Sequence, residues 1–191
     1  NNLHGDLYGY FRNQRFNANN AISAAKLPMT QSQYGTSLSG PVVRDRTFYF
    51  GNIEQKRLNQ SGLVTIAPEA AAAINQRLAA VGYPGSRVST GVYANPVFTT
   101  NVLAKLDHQL SGRDQFSVRY SLYTVTASNA RGAGALSAPS ASAALDNTDQ
   151  SFAFSNTATI GSATVNETRA QVVQGHPAAL PSEPIGPAVS I

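Results

Sequence analysis

From Thr100 to Thr126 apolar residues occupy every second position of two arms, 100–110 and 115–126, on either side of the turn Ser111-Gly112-Arg113-Asp114. In the first arm Val102, Ala104, Leu106 and Leu110 share a face that His108 interrupts, and Leu103, Lys105, Asp107 and Gln109 share the other. In the second arm Phe116, Val118, Tyr120 and Leu122 oppose Ser117, Arg119, Ser121 and Tyr123. Strand side chains alternate between faces, so the pattern predicts a hairpin with one apolar and one charged face. Each arm runs about 11 residues, longer than the usual globular strand of roughly 5 or 6. It is close to the roughly 9 to 11 that a tilted strand needs to cross a bilayer.

The same alternation predicts strands at 3–13, 31–43, 47–58, 150–160 and 165–174. Tyr34, Thr36 and Leu38 share a face of the second strand, where Gly35 and Gly40 allow bends or close backbone approach. Residues 14–30, 59–98 and 127–147 read as long loops, the last of them rich in Ala, Ser and Gly. Within 59–98 a short helix is predicted over 68–81, with Pro68 at its first position, Glu69 favourable to its dipole and Gly82 as its C-terminal cap. Its apolar stripe is Ala70, Ile74, Leu78 and Val81. After Gly175 the prolines at 177, 181, 184 and 187 predict a tail or loop without strand.

Long and short connections alternate. Outer-membrane barrels have short periplasmic turns and long extracellular loops, so the alternation assigns the two rims. The chain is predicted to be all-β: an antiparallel transmembrane β-barrel segment of about seven long strands, with one short loop helix, over residues 1–174. Bacterial single-chain barrels have even strand counts, so an odd wall is expected to continue beyond it. The absence of a charged leader and apolar core at Asn1-Asn2-Leu3-His4 likewise fits a fragment or a processed chain.

Composition sharpens the picture. Charged residues make up 13%, about half the roughly 25% of a soluble domain, as suits a wall that is apolar outside and neutral-polar inside. No apolar run approaches the roughly 18 residues of a transmembrane helix. Cysteine is absent, which removes disulfides, thiol nucleophiles and thiolate metal sites. The net charge of +4 comes from scattered bases, with Lys56-Arg57 the only adjacent pair, so nucleic acid is not an expected partner.

Three segments carry a family resemblance. They are residues 2–13 (Asn-Leu-His-Gly-Asp-Leu-Tyr-Gly-Tyr-Phe-Arg-Asn), Gln33-Tyr34-Gly35 with Ser39-Gly40-Pro41, and Arg46-Thr47-Phe48-Tyr49-Phe50-Gly51-Asn52-Ile53-Glu54. In this order they resemble the barrel start of Oar-like TonB-dependent outer-membrane receptors. Residues 105–110 and 165–169 are similar to later parts of the same barrels. The resemblance implies a 22-stranded barrel around a plug domain, of which this chain is about a third. It also implies energised uptake of a scarce ligand across the outer membrane of a Gram-negative bacterium. The implied partners are outer-membrane lipid, the receptor's own plug, the TonB complex and an unidentified ligand taken up by the long loops.

The expected lumen-facing residues are Asp6, Arg12, Glu54, Lys56, Lys105, Asp107, Arg119, Glu167 and Arg169, gripping a plug or simply tolerated in a wet lumen. Lys105 or Asp107 is expected to pair with Arg119. The expected lipid-facing residues are Val102, Leu106, Phe116, Val118, Tyr120 and Leu122. Tyr8, Tyr10, Phe11, Phe48, Tyr49, Phe50, Phe116, Tyr120, Tyr123, Phe152 and Phe154 are expected to form interface girdles. No catalytic, cofactor or metal site is predicted. His4, His108 and His176 are dispersed, Asp107 and His108 point to opposite faces, and Gly132-Ala133-Gly134 precedes no helix. The rival readings are a non-transporting structural or adhesive outer-membrane barrel and a soluble extracellular β-sandwich.

Overall fold

A computed structural model describes residues 2–19 and 26–190. The long strands are β1 (His4–Asn13), β2 (Met29–Val43), β3 (Thr47–Val64), β5 (Val97–Ser111), β6 (Asp114–Arg131), β7 (Ala143–Ile160) and β8 (Thr164–Ala178). A short β4 (Gly91–Ala94) and a helix α1 (Pro68–Ala80) lie between β3 and β5. All belong to one 8-stranded sheet of order β1-β2-β3-β5-β6-β7-β8, with β4 on the end of β3. Every pairing is antiparallel. Residues 44–46, 112–113 and 161–163 form the short turns of one rim, and 14–28, 65–96 and 132–142 the long connections of the other. Of the expected loop 14–30, residues 20–25 lie outside the described residues.

No helix among the described residues is long and apolar enough to cross a membrane. A soluble sandwich would bury one face of this sheet against a second sheet, and the described residues form only one. Leu7 (87%), Phe152 (49%) and Leu38 (47%) instead stand exposed on a common face.

The strands run past their expected ends at the long-loop rim. β3 continues from Leu58 to Val64, β5 starts at Val97, and β6 and β7 take residues 127–131 and 143–147 from the expected loop 127–147. The apolar alternation has already stopped before the β6 extension, where Thr124 and Thr126 follow Leu122. The backbone ladder needs no side-chain contrast and continues. β8 likewise runs through Gly175 and Pro177 to Ala178. It is an edge strand paired only with β7, where the missing proline N–H costs no ladder bond.

The buried apolar cluster lies beyond this rim. Val64, Ile66, Ala71, Val88 and Ala138 pack together, with Ala70, Ile74, Tyr93 and Val189 around them. α1 contributes Ala71 and Ile74, whereas Val81, expected in its stripe, is 77% exposed because the helix ends at Ala80 and Gly82 takes φ +64°. Asn75 grips Val88 in both directions, its Nδ2 donating to the Val88 carbonyl at 3.0 Å and its Oδ1 accepting from the Val88 amide at 2.8 Å. The proline-rich tail belongs to this cap. Ala144 donates to the Leu180 carbonyl (2.8 Å), Ser182 to that of Ser142 (2.9 Å) and Ala138 to that of Val189 (2.9 Å).

Candidate functional site: the polar face of the sheet

Residues paired across strands share a face, so the register sorts the expected site residues. Asp6 opposes Ser37, which opposes Asn52, then Leu103, Ser121 and Ser151. Glu54 opposes Gly35 and Asn101, and Lys56 opposes Gln33 and Thr99. Arg12 opposes Gln31. Lys105 opposes Arg119, Asp107 opposes Ser117, Ser155 opposes Arg169, and Thr157 opposes Glu167. With alternation along each strand, Asp6, Arg12, Glu54, Lys56, Lys105, Asp107, Arg119, Glu167 and Arg169 all fall on one face. Val102, Leu106, Phe116, Val118, Tyr120 and Leu122 all fall on the other, where Leu106 opposes Val118 and Val118 opposes Phe154.

The ion pairs differ from expectation. Lys105 Nζ meets Asp107 Oδ1 at 2.9 Å along its own strand. Arg169 Nε donates to Glu167 Oε1 at 2.8 Å in the same way. Arg119 pairs with neither Lys105 nor Asp107. Its cross-strand partner is Lys105, a like charge that repels, and Asp107 is already engaged. Both ion pairs are well exposed and contribute little to stability. These five groups, with Gln115 and Gln171, instead line an open cleft of about 670 Å³. The arrangement offers alternating charges and amides to whatever fills the space in front of the sheet.

Five of the expected girdle aromatics also face this side. Tyr8, Tyr10, Phe48, Phe50 and Tyr123 share parity with Asp6, Glu54 and Asn101. Phe48-Tyr49-Phe50 is a consecutive run, so only its middle ring reaches the apolar face. The signal was present in the sequence, since Tyr8 and Tyr10 alternate in phase with Asp6 and Arg12. Phe11, Tyr49, Phe116, Tyr120, Phe152 and Phe154 remain on the apolar face. His108 is also there, its Nδ1 2.8 Å from Thr47 Oγ1 and its ring 5.3 Å from that of Phe116, which accounts for a polar residue in an apolar row.

One contact on the polar face depends on a glycine. The Tyr8 hydroxyl donates to Glu54 Oε2 at 2.7 Å, and its ring lies over Gly35 between them. A Cβ at Gly35 would sit 2.5 Å from the Tyr8 oxygen and 2.8 Å from the Ile53 carbonyl oxygen. Gly35→Ala is therefore expected to destabilise the sheet by about 1 to 3 kcal/mol, as overpacking does. Tyr8 Cζ would lie 2.6 Å away as well, so in a Tyr8→Ala background, where the whole ring is gone, the loss should shrink to what the Ile53 carbonyl imposes. Denaturant titration of both backgrounds checks this, and equal losses would refute the Tyr8 clash. Tyr93 covers Gly62 similarly in the cap, where burial raises its phenol pKa.

Residues 1–100 and again 66–185 match the family described as Outer membrane beta barrel domain. No curated protein and no solved structure matches the chain.

Proposed function

The chain belongs to the family of outer-membrane β-barrel domains, and on that premise we propose that its sheet is part of the wall of a TonB-dependent transporter. It lies in the outer membrane of a Gram-negative bacterium. In this reading the apolar face meets lipid and the polar face lines a lumen. The long-loop rim, with its packed cap, faces outward and receives the ligand, and a plug held against the polar face moves when TonB transmits the energy of the inner membrane.

The observation that carries the reading is the polar face itself. It carries charges, amides and hydroxyls on every long strand, interleaved with a few rings, and has a cleft at Lys105, Asp107, Arg119, Glu167 and Arg169. Arg119 stands opposite a like charge, an arrangement destabilising within the sheet alone and relieved by an acidic group from outside it. The resemblance of the segments around Tyr8, Tyr34 and Phe50 to Oar-like receptors supports the same reading.

The test uses the full-length protein extracted from outer membranes. Immobilised periplasmic domain of TonB is expected to capture it, with capture strengthened by the transported ligand. A folded, heat-modifiable barrel that is not captured would make the protein a structural or adhesive wall instead.

A further inference from the structure

Lys56 and Arg57 leave β3 on opposite sides, as adjacent strand residues must. Lys56 joins the polar face, and Arg57 stands exposed on the apolar one. Arg12, Lys105, Arg119 and Arg169 all face the other way, so Arg57 is a cation placed where the rest of the paired wall avoids one. It lies four positions beyond Ile53, the apolar residue that precedes it on that face, with Gln55 between them. At about 3.4 Å per residue this is about 14 Å along the strand, and about 10 Å along the membrane normal for a strand tilted roughly 40°. The direction is toward the long-loop rim. Headgroups extend a bilayer from about 30 Å of hydrocarbon to about 40–45 Å in all, about 5 to 7.5 Å on each side, so the Arg57 backbone lies at the outer edge of that layer and its long side chain reaches the headgroups.

The side chain is held in place. Its Cζ lies 5.6 Å from the centroid of the Phe98 ring. Its Nε donates to the Tyr34 hydroxyl at 3.4 Å. That hydroxyl donates to Gln55 Oε1 at 2.8 Å, and Gln55 Nε2 donates to Thr100 Oγ1 at 3.4 Å. Ser32 is the direct cross-strand neighbour on β2. The terminal nitrogens of Arg57 make no hydrogen bond or ion pair among the described residues. Asp146, in the same cross-strand row, is separated from β3 by β5 and β6. The result is an oriented guanidinium fork, backed by an aromatic ring, aimed at lipid headgroups with its donors free.

We propose that Arg57, oriented by Tyr34 and with Ser32 beside it, binds the phosphate of an outer-leaflet lipid headgroup through its terminal nitrogens. A planar fork matches a phosphate through two parallel hydrogen bonds, which an ammonium cannot reproduce. The proposal rests on the membrane placement of the sheet and is independent of TonB coupling.

The full-length protein is refolded into phosphatidylcholine liposomes containing a minor share of lipid A, re-extracted in mild detergent, and the co-purifying lipid A is quantified. Arg57→Gln is expected to retain about fivefold less, the factor for one basic residue at an anionic surface. Arg57→Lys should fall between, and Lys56→Gln, one residue away on the opposite face, should match the wild type. Equal retention by Arg57→Gln and wild type overturns the proposal. So does displacement of lipid A by inorganic phosphate as readily as by added lipid A, which would make this a free-phosphate site. Should Arg57→Gln fail to insert, Phe98→Leu keeps the charge and removes the ring beneath it. It is then expected to retain about half as much, and unchanged retention again overturns the proposal.

Discussion

Val118→Arg lowers the stability of the full-length barrel by about 2 to 4 kcal/mol, whereas Ser117→Arg, its neighbour in the chain, costs less than about 1 kcal/mol. Val118 sits in the middle of the apolar stretch of β6, with Leu106 opposite on one side and Phe154 on the other. Its apolar neighbours along the strand run from Phe116 to Leu122, about 20 Å at about 3.4 Å per residue. A guanidinium there meets only Leu106 and Phe154 across the two adjoining strands and has no short path to water. Ser117 lies on the opposite face, directly across from Asp107 and beside the cleft, where an added arginine meets water and a carboxylate. Refolding into liposomes with denaturant titration measures both variants, and equal losses would reverse or abolish the assignment of the faces.

Ile66→Ala lowers the free energy of opening the cap by about 2 to 5 kcal/mol, the range for truncating a buried isoleucine. Ile66 is 3% exposed and packs with Val64, Ala71, Val88 and Ala138. This cluster is separate from the two faces of the sheet, so the effect should remain local. Amides at Thr65 and Val88, which bond the Ala135 carbonyl and Asn75, are expected to exchange faster by the corresponding factor. Amides of the β5–β6 ladder should keep their protection. Equal deprotection of both would mean that cap and sheet open as one unit.

The cap has a functional consequence under the transport reading. Loops of polar and small residues would ordinarily be too mobile to shape a binding surface. Here α1, β4 and the tail 179–190 are tied to the ends of β3, β6 and β7 by backbone bonds and a small apolar core. The surface that first meets a ligand is thereby prearranged, which reduces the ordering cost of binding.

The sequence by itself determined the wall. Period-two alternation marks each long strand, because a strand between lipid and water must change chemistry at every residue. The same alternation placed Asp6, Glu54, Lys105, Asp107, Arg119, Glu167 and Arg169 in phase, and the register brings those phases together on one face. Tyr8, Tyr10, Phe48 and Phe50 were legible by the same parity, and only the general association of rings with interfaces pointed them the other way. Tertiary structure alone decided what lies beyond the bilayer. Past Leu122 and Leu58 no solvent contrast crosses the strand, so the pattern fades while the hydrogen-bonded ladder continues to Arg131 and Val64. The cap joins Val64, Val88, Ala138 and Val189 from segments far apart in the chain, and such contacts leave no local periodicity. Cross-strand neighbours, such as Phe98 beneath Arg57 and Gly35 beneath Tyr8, likewise depend on register. Register is set by the pairing of distant strands and cannot be read along any one of them.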